Sequence, residues 1–117
     1  MPVDSALQCF NDALDLHENL LHAETQAIAA KDLQTIESII DQKESSIKSI
    51  IEFKSLLEGK INIDFSKNDK VQYILELQKR NAVSFKKFYD ERSRKEKGYQ
   101  DNRRAEDRKV RSAYLNF

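Results

Sequence analysis

"SALQCFNDALDLHENLLHAETQAIAA", residues 5–30, decides how this chain folds. Leu7, Phe10, Leu14, His17, Leu21, Glu24 and Ile28 recur at alternating steps of three and four. That spacing keeps one face of an α-helix turned toward a neighbour, as in a heptad seam. Ala13, Leu16, Leu20, Ala23 and Ala27 form a second apolar stripe beside it. A helix with two stripes can touch two neighbours. The stretch therefore predicts the first member of a bundle, capped by Asp4 or Ser5.

Outward from it the same period returns twice. Asp32, with Thr35 and Glu37 behind it, reads as the cap of a new first turn, although no glycine or proline compels a break and a continuous helix is the alternative. Leu33, Ile36, Ile40, Lys43, Ile47, Ile50, Lys54 and Leu57 then make a second helix over residues 33–58, with Gly59 as its C-terminal cap. In the connector, residues 59–68, Ile61, Ile63 and Phe65 alternate with polar residues. They are expected to be extended and to close one end of the bundle, with Ser66, Asn68 or Asp69 capping the next helix.

A third helix is predicted from residue 69, on Val71, Ile74, Gln78, Asn81, Phe85, Phe88 and Arg92. Gln78 and Asn81 can be read in two ways. Either the seam drifts and both are wet, the reading preferred here, or both are buried and set register against His17, Glu24 and Lys43.

Length then matters. Helices of 26 residues would be about 39 Å long, whereas residues 69–117 as one helix would be about 73 Å. The chain is thus expected to be a single all-α domain over 1–117, an antiparallel three-helix bundle or coiled coil. Its long C-terminal helix should overhang the first two beyond Tyr89, with Gly98 allowing a bend. Apolar residues return at the far end, at Val110, Ala113, Tyr114, Leu115 and Phe117, where the chain's own core is out of reach. Such residues imply contact with something else. Folding back onto the bundle, pairing with a second copy and disorder of the tail are the other readings.

Composition supports helices and excludes several chemistries. Only 2 glycines and 1 proline in 117 residues leave too little turn chemistry for a sheet. The net charge of zero hides a gradient. Seven acids against one base precede residue 40, and thirteen bases against seven acids follow residue 70. An acidic first helix beside a basic last one favours their pairing. A basic tail for nucleic acid is the rival reading. Asp90, Glu91 and Glu96 sit among the basic and aromatic residues Lys86, Lys87, Phe88, Tyr89, Arg92, Arg94 and Lys95, so pairs such as Asp90–Arg94 and Glu91–Lys95 explain the run with less machinery. One cysteine, Cys9, permits no internal disulfide and suggests a reducing compartment. No signal peptide or apolar span is read, so the expectation is a soluble cytoplasmic chain. His17 and His22 are five apart and about 140° around the helix, so they cannot share a metal as an i, i+4 pair would. No catalytic constellation, metal site or cofactor site is found, and an enzyme is not expected.

The stretch "AETQAIAAKDLQTIESIIDQKESSIKSIIEFKSLLE", residues 23–58, resembles flagellar export chaperones of the FlgN type. Asp32, Leu33 and Ile36 match that family's restart of the second helix, and Ile40, Lys43 and Glu44 follow in place. "ELQKRN", residues 76–81, is similar to its third-helix opening and "SAY", residues 112–114, to its tails. The FliT type, which guards the filament-cap protein, is a close second resemblance. The linker at 61–69 and the charged stretch 90–109 depart from the pattern. The resemblance implies a cytoplasmic chaperone that binds the helical C-terminal segment of hook–filament junction proteins and delivers them to the type III export apparatus. In that family the C-terminal helix carries substrate binding. It would place client contacts on Tyr99, Val110, Tyr114, Leu115 and Phe117, with Arg103 and Arg111 at the rim. The alternative is a structural coiled-coil adaptor that dimerises through its C-terminal arm.

Overall fold

Three long helices follow one another: α1 (Val3–Ala29), α2 (Leu33–Glu58) and α3 (Asp69–Lys95), with one turn of 3-10 helix (Phe65–Lys67) before the third. The computed structural model describes residues 2–62 and 64–95. They form an all-α bundle spanning 57 × 23 × 21 Å.

The break between α1 and α2 is made by backbone geometry at a lysine. Lys31 adopts the left-handed conformation, φ 58°. Its N–H donates to the Ile28 carbonyl and that of Asp32 to the Ala27 carbonyl, both at 3.0 Å. This paired closure satisfies the last carbonyls of α1. Asp32 then opens α2 by accepting from the Thr35 amide and hydroxyl, contacts that also hold its carboxyl below the usual range. The two helices are therefore separate, as the Asp32 restart predicts. Asn68 caps α3 by accepting from the Lys70 and Val71 amides at 2.9 and 3.1 Å.

One expected cap is corrected. At the start of α1, extended Pro2 occupies the capping position, and Asp4 lies inside the first turn, where a carboxylate suits the helix dipole. Gly59 caps the C-terminus of α2 as expected, but it remains right-handed, φ −75°, so it spends none of its special freedom there.

The chain runs up, down and up. Asp15, Glu24 and Lys31 ascend α1 and its turn, and they meet Lys70, Asn81 and Glu91 in the same order along α3. Glu91 pairs with Lys31 of the α1–α2 turn at 3.7 Å, so the last described turns of α3 stand at that end of the bundle. Residues 96–117, with the Gly98 bend and the expected overhang, lie outside the described residues.

Two clusters make the core. At the α1–α2 turn, Ala27, Ile28, Ile36, Ile39 and Ile40 pack with Phe85 and Phe88. At the other end Ala6, Phe10, Leu14, Leu21 and Leu57 pack with Phe65, Ile74 and Leu77. Phe65 meets Phe10 edge to face with centroids 5.1 Å apart, and Ile61 adds to the same cluster. The connector closes this end of the bundle as its pattern implies, through a 3-10 turn in place of a wholly extended run. Ile63 lies outside the described residues.

Candidate functional site

Helix α1 touches both of its neighbours, while the Cα atoms of α2 and α3 nowhere come within 8 Å of each other. Side chains must fill the space between those two helices. Near the α1–α2 turn they do, because α3 presents the large rings of Phe85, Phe88 and Tyr89 against Ile36, Ile39 and Ile40. Toward the connector Val71, Ile74, Leu75 and Gln78 of α3 border an open cleft. The result is a groove of about 590 Å³ between α2 and α3, floored by Phe10, Leu14 and His17 of α1. Ile40, Ile47 and Ile50 line the α2 wall, and Phe65 and Ser66 stand at the connector end. From Ile40 to Lys54 the α2 wall is about 21 Å long.

The lining is almost wholly apolar and partly bare. Ile47 is 43% exposed and Leu75 is 54% exposed, although both lie on helix faces turned to the groove. Solvated side chains of this kind at an open cleft mark a binding surface. The cleft is a strip for one face of a helix rather than an enclosed chamber.

Beneath the groove a buried polar network holds the three helices in register. Lys43 of α2 donates to the Glu24 carboxylate of α1 at 2.9 Å. Asn81 of α3 donates to the other Glu24 oxygen at 2.8 Å and to the Leu21 carbonyl at 3.0 Å. The Thr25 hydroxyl lies 2.7 Å from the Asn81 carbonyl oxygen. One turn closer to the connector, His17 Nδ1 and Ser46 Oγ are 3.0 Å apart. Burial first, and then the nearby Lys43 charge, lower the His17 pKa to about 4, so the ring is neutral at physiological pH.

This network corrects the preferred reading of α3. Asn81 is 1% exposed and Gln78 is half-buried on the groove wall, so neither is simply wet. The unpreferred reading holds for Asn81, which sets register with Glu24 and Lys43 because each atom gains a partner. Ser46 and Thr25 were not singled out by sequence. Both are short hydroxyls on polar positions, and nothing local distinguishes them from solvated serines and threonines.

His17 is buried in the seam and His22 is half-buried, within 3.7 Å of Glu18. Among the described residues no cluster of His, Cys, Asp and Glu could hold a metal ion, and no helix is long and apolar enough to cross a membrane. The seven residues assigned to client contact, Tyr99, Arg103, Val110, Arg111, Tyr114, Leu115 and Phe117, all lie outside the described residues. The groove was not foreseen, although its α2 wall was visible as a seam that continues through Ile47 and Ile50. No protein-family model, curated protein or solved structure matches this chain.

Proposed function

We propose that this chain is a cytoplasmic export chaperone of the FlgN type. It would hold the helical C-terminal segment of a hook–filament junction protein and present it to the type III export apparatus. The observation that carries the helix-binding part of this reading is the bare apolar groove between α2 and α3. It runs about 21 Å along α2 and is lined by Ile47, Ile50, Ile74 and Leu75. An amphipathic segment of the client would lose its apolar face to the groove and so be kept from self-association. The flagellar identity of the client rests on the resemblance in residues 23–58 and 76–81. Tyr99, Val110, Tyr114, Leu115 and Phe117, with Arg103 and Arg111, are retained as further client contacts on the same ground.

Calorimetric titration of full-length chain with the C-terminal segments of junction proteins from the same genome tests the reading. Ile47→Asp and Leu75→Asp place a charge on already exposed positions, so folding should survive while affinity falls at least about tenfold. Tyr114→Asp with Phe117→Asp probes the distal contacts in the same assay. Absence of binding by the unaltered chain would contradict the proposal.

A further inference from the structure

The groove has two chemically different ends. Its α2 wall carries Glu44 toward the α1–α2 turn and Lys54 toward the connector, ten residues or about 15 Å apart. Among the described residues Glu44 makes no ion pair. Among the same residues Lys54 pairs with exposed Glu58 at 3.5 Å, and its ammonium lies 5.7 Å from the Phe65 ring centre. Lys43, the other charge on the lining, is neutralised by Glu24. His17 on the floor is uncharged, so Glu44 and Lys54 set the polarity that a guest would meet. A helix brings opposite partial charges to those ends, roughly half a positive charge at its N-terminus and half a negative at its C-terminus.

We propose that the groove seats its guest helix parallel to α2, with the N-terminal end beside Glu44 and the C-terminal end beside Lys54. Resting on the helix-binding reading above, this adds a direction and a chemistry for the partner. The guest would then run parallel to α2 and antiparallel to α3 across the cleft. Because these two walls run in opposite directions, their dipoles do not choose between the seatings; the reverse seating is disfavoured because it would set the guest's negative end beside Glu44 and its positive end beside Lys54. The wall length admits about four turns. The partner is therefore a helical segment of roughly fourteen residues with apolar side chains at i, i+4, i+7 and i+11. Its last carbonyls, and its terminal carboxylate where the segment ends a chain, fall within reach of the Lys54 ammonium. Phe65 and Ser66 close that end, so a chain terminus fits there better than a continuing helix.

Orientation is read with nitroxide labels on full-length chain carrying Cys9→Ser and either Ser45→Cys or Ser55→Cys, exposed positions that leave Glu44 and Lys54 in place. The probe is an isotope-labelled peptide comprising the C-terminal forty residues of a junction protein from the same genome. The label at residue 45 should broaden the N-terminal half of the bound helix and the label at residue 55 its C-terminal half. The reverse pattern overturns the orientation and leaves helix binding intact. No broadening from either label, together with no binding, overturns both. Charge reversal gives a second readout: Glu44→Lys and Lys54→Glu should each weaken the free-acid peptide about twofold to fivefold. C-terminal amidation should weaken binding to the unaltered chain and have less effect on Lys54→Glu. Equal effects of amidation on both would exclude Lys54 as the carboxylate's neighbour.

Discussion

Glu24 and Lys43 meet at 2.9 Å inside the bundle, the carboxylate side chain fully buried and that of the lysine only 10% exposed. Asn81 completes the pair from α3, so one carboxylate fixes the relative heights of three helices. A buried ion pair is weak as a source of stability but costly to break, because one charge is then left without its partner.

Lys43→Met should accordingly destabilise the fold by about 3–5 kcal/mol. Glu24→Met combined with Lys43→Met should cost less than that single change, since no buried charge is stranded. Urea unfolding followed by circular dichroism checks the order. A single variant as stable as the parent would remove the pair from the packing account.

His17 supplies a pH dependence of definite sign. Folding lowers its pKa from 6.5 to about 4, so the unfolded chain takes up a proton that the folded chain refuses within that window. Stability from this group is full above pH 6.5 and falls as pH drops toward 4. The loss should be on the order of 2 kcal/mol, reduced from the full linkage value because the ring borders an open groove. His17→Leu should flatten that part of the curve in parallel urea titrations at pH 7 and pH 4.5. An unchanged difference would mean that other groups carry the acid sensitivity.

Backbone conformation at Gly59 and Lys31 gives a third expectation. Gly59 is right-handed, and a Cβ built there meets its nearest atoms at 3.8 Å, ordinary contact. Gly59→Ala should therefore stabilise by about 0.4–1 kcal/mol through the unfolded state. Lys31 is left-handed, so Lys31→Ala should retain the strain while Lys31→Gly relieves it. Thermal melts of the three variants should rank both Gly59→Ala and Lys31→Gly above Lys31→Ala. Any other order would locate the helix ends elsewhere.

Much of this fold is legible locally and much of the site is not. The steps from Leu7 to Ile28 and from Leu33 to Leu57 identify two helices because a buried stripe must repeat with the helical period. Asp32 announces a restart because its carboxylate can serve free amides. The left-handed residue was not readable at Lys31, since closure there is imposed by the next helix packing back rather than by a residue that favours it. Periodicity says which side chains turn inward but not what stands opposite. Phe85 and Phe88 pack with Ile36, Ile39 and Ile40 of α2, whereas Val71 and Leu75 border an open cleft, and only the placement of α1 against both neighbours creates that difference. Asn81, Glu24 and Lys43 are visible as polar seam positions, yet their meeting depends on registers fixed across distant turns.

Titration of full-length chain, methyl-labelled at Ile and Leu, with the C-terminal segment of a junction protein reads the groove residue by residue. Saturable shifts are expected at Ile47, Ile50, Ile74 and Leu75, and little change at Leu56, which is exposed but does not line the groove. Binding that leaves those groove methyls unmoved would contradict the groove as the binding site.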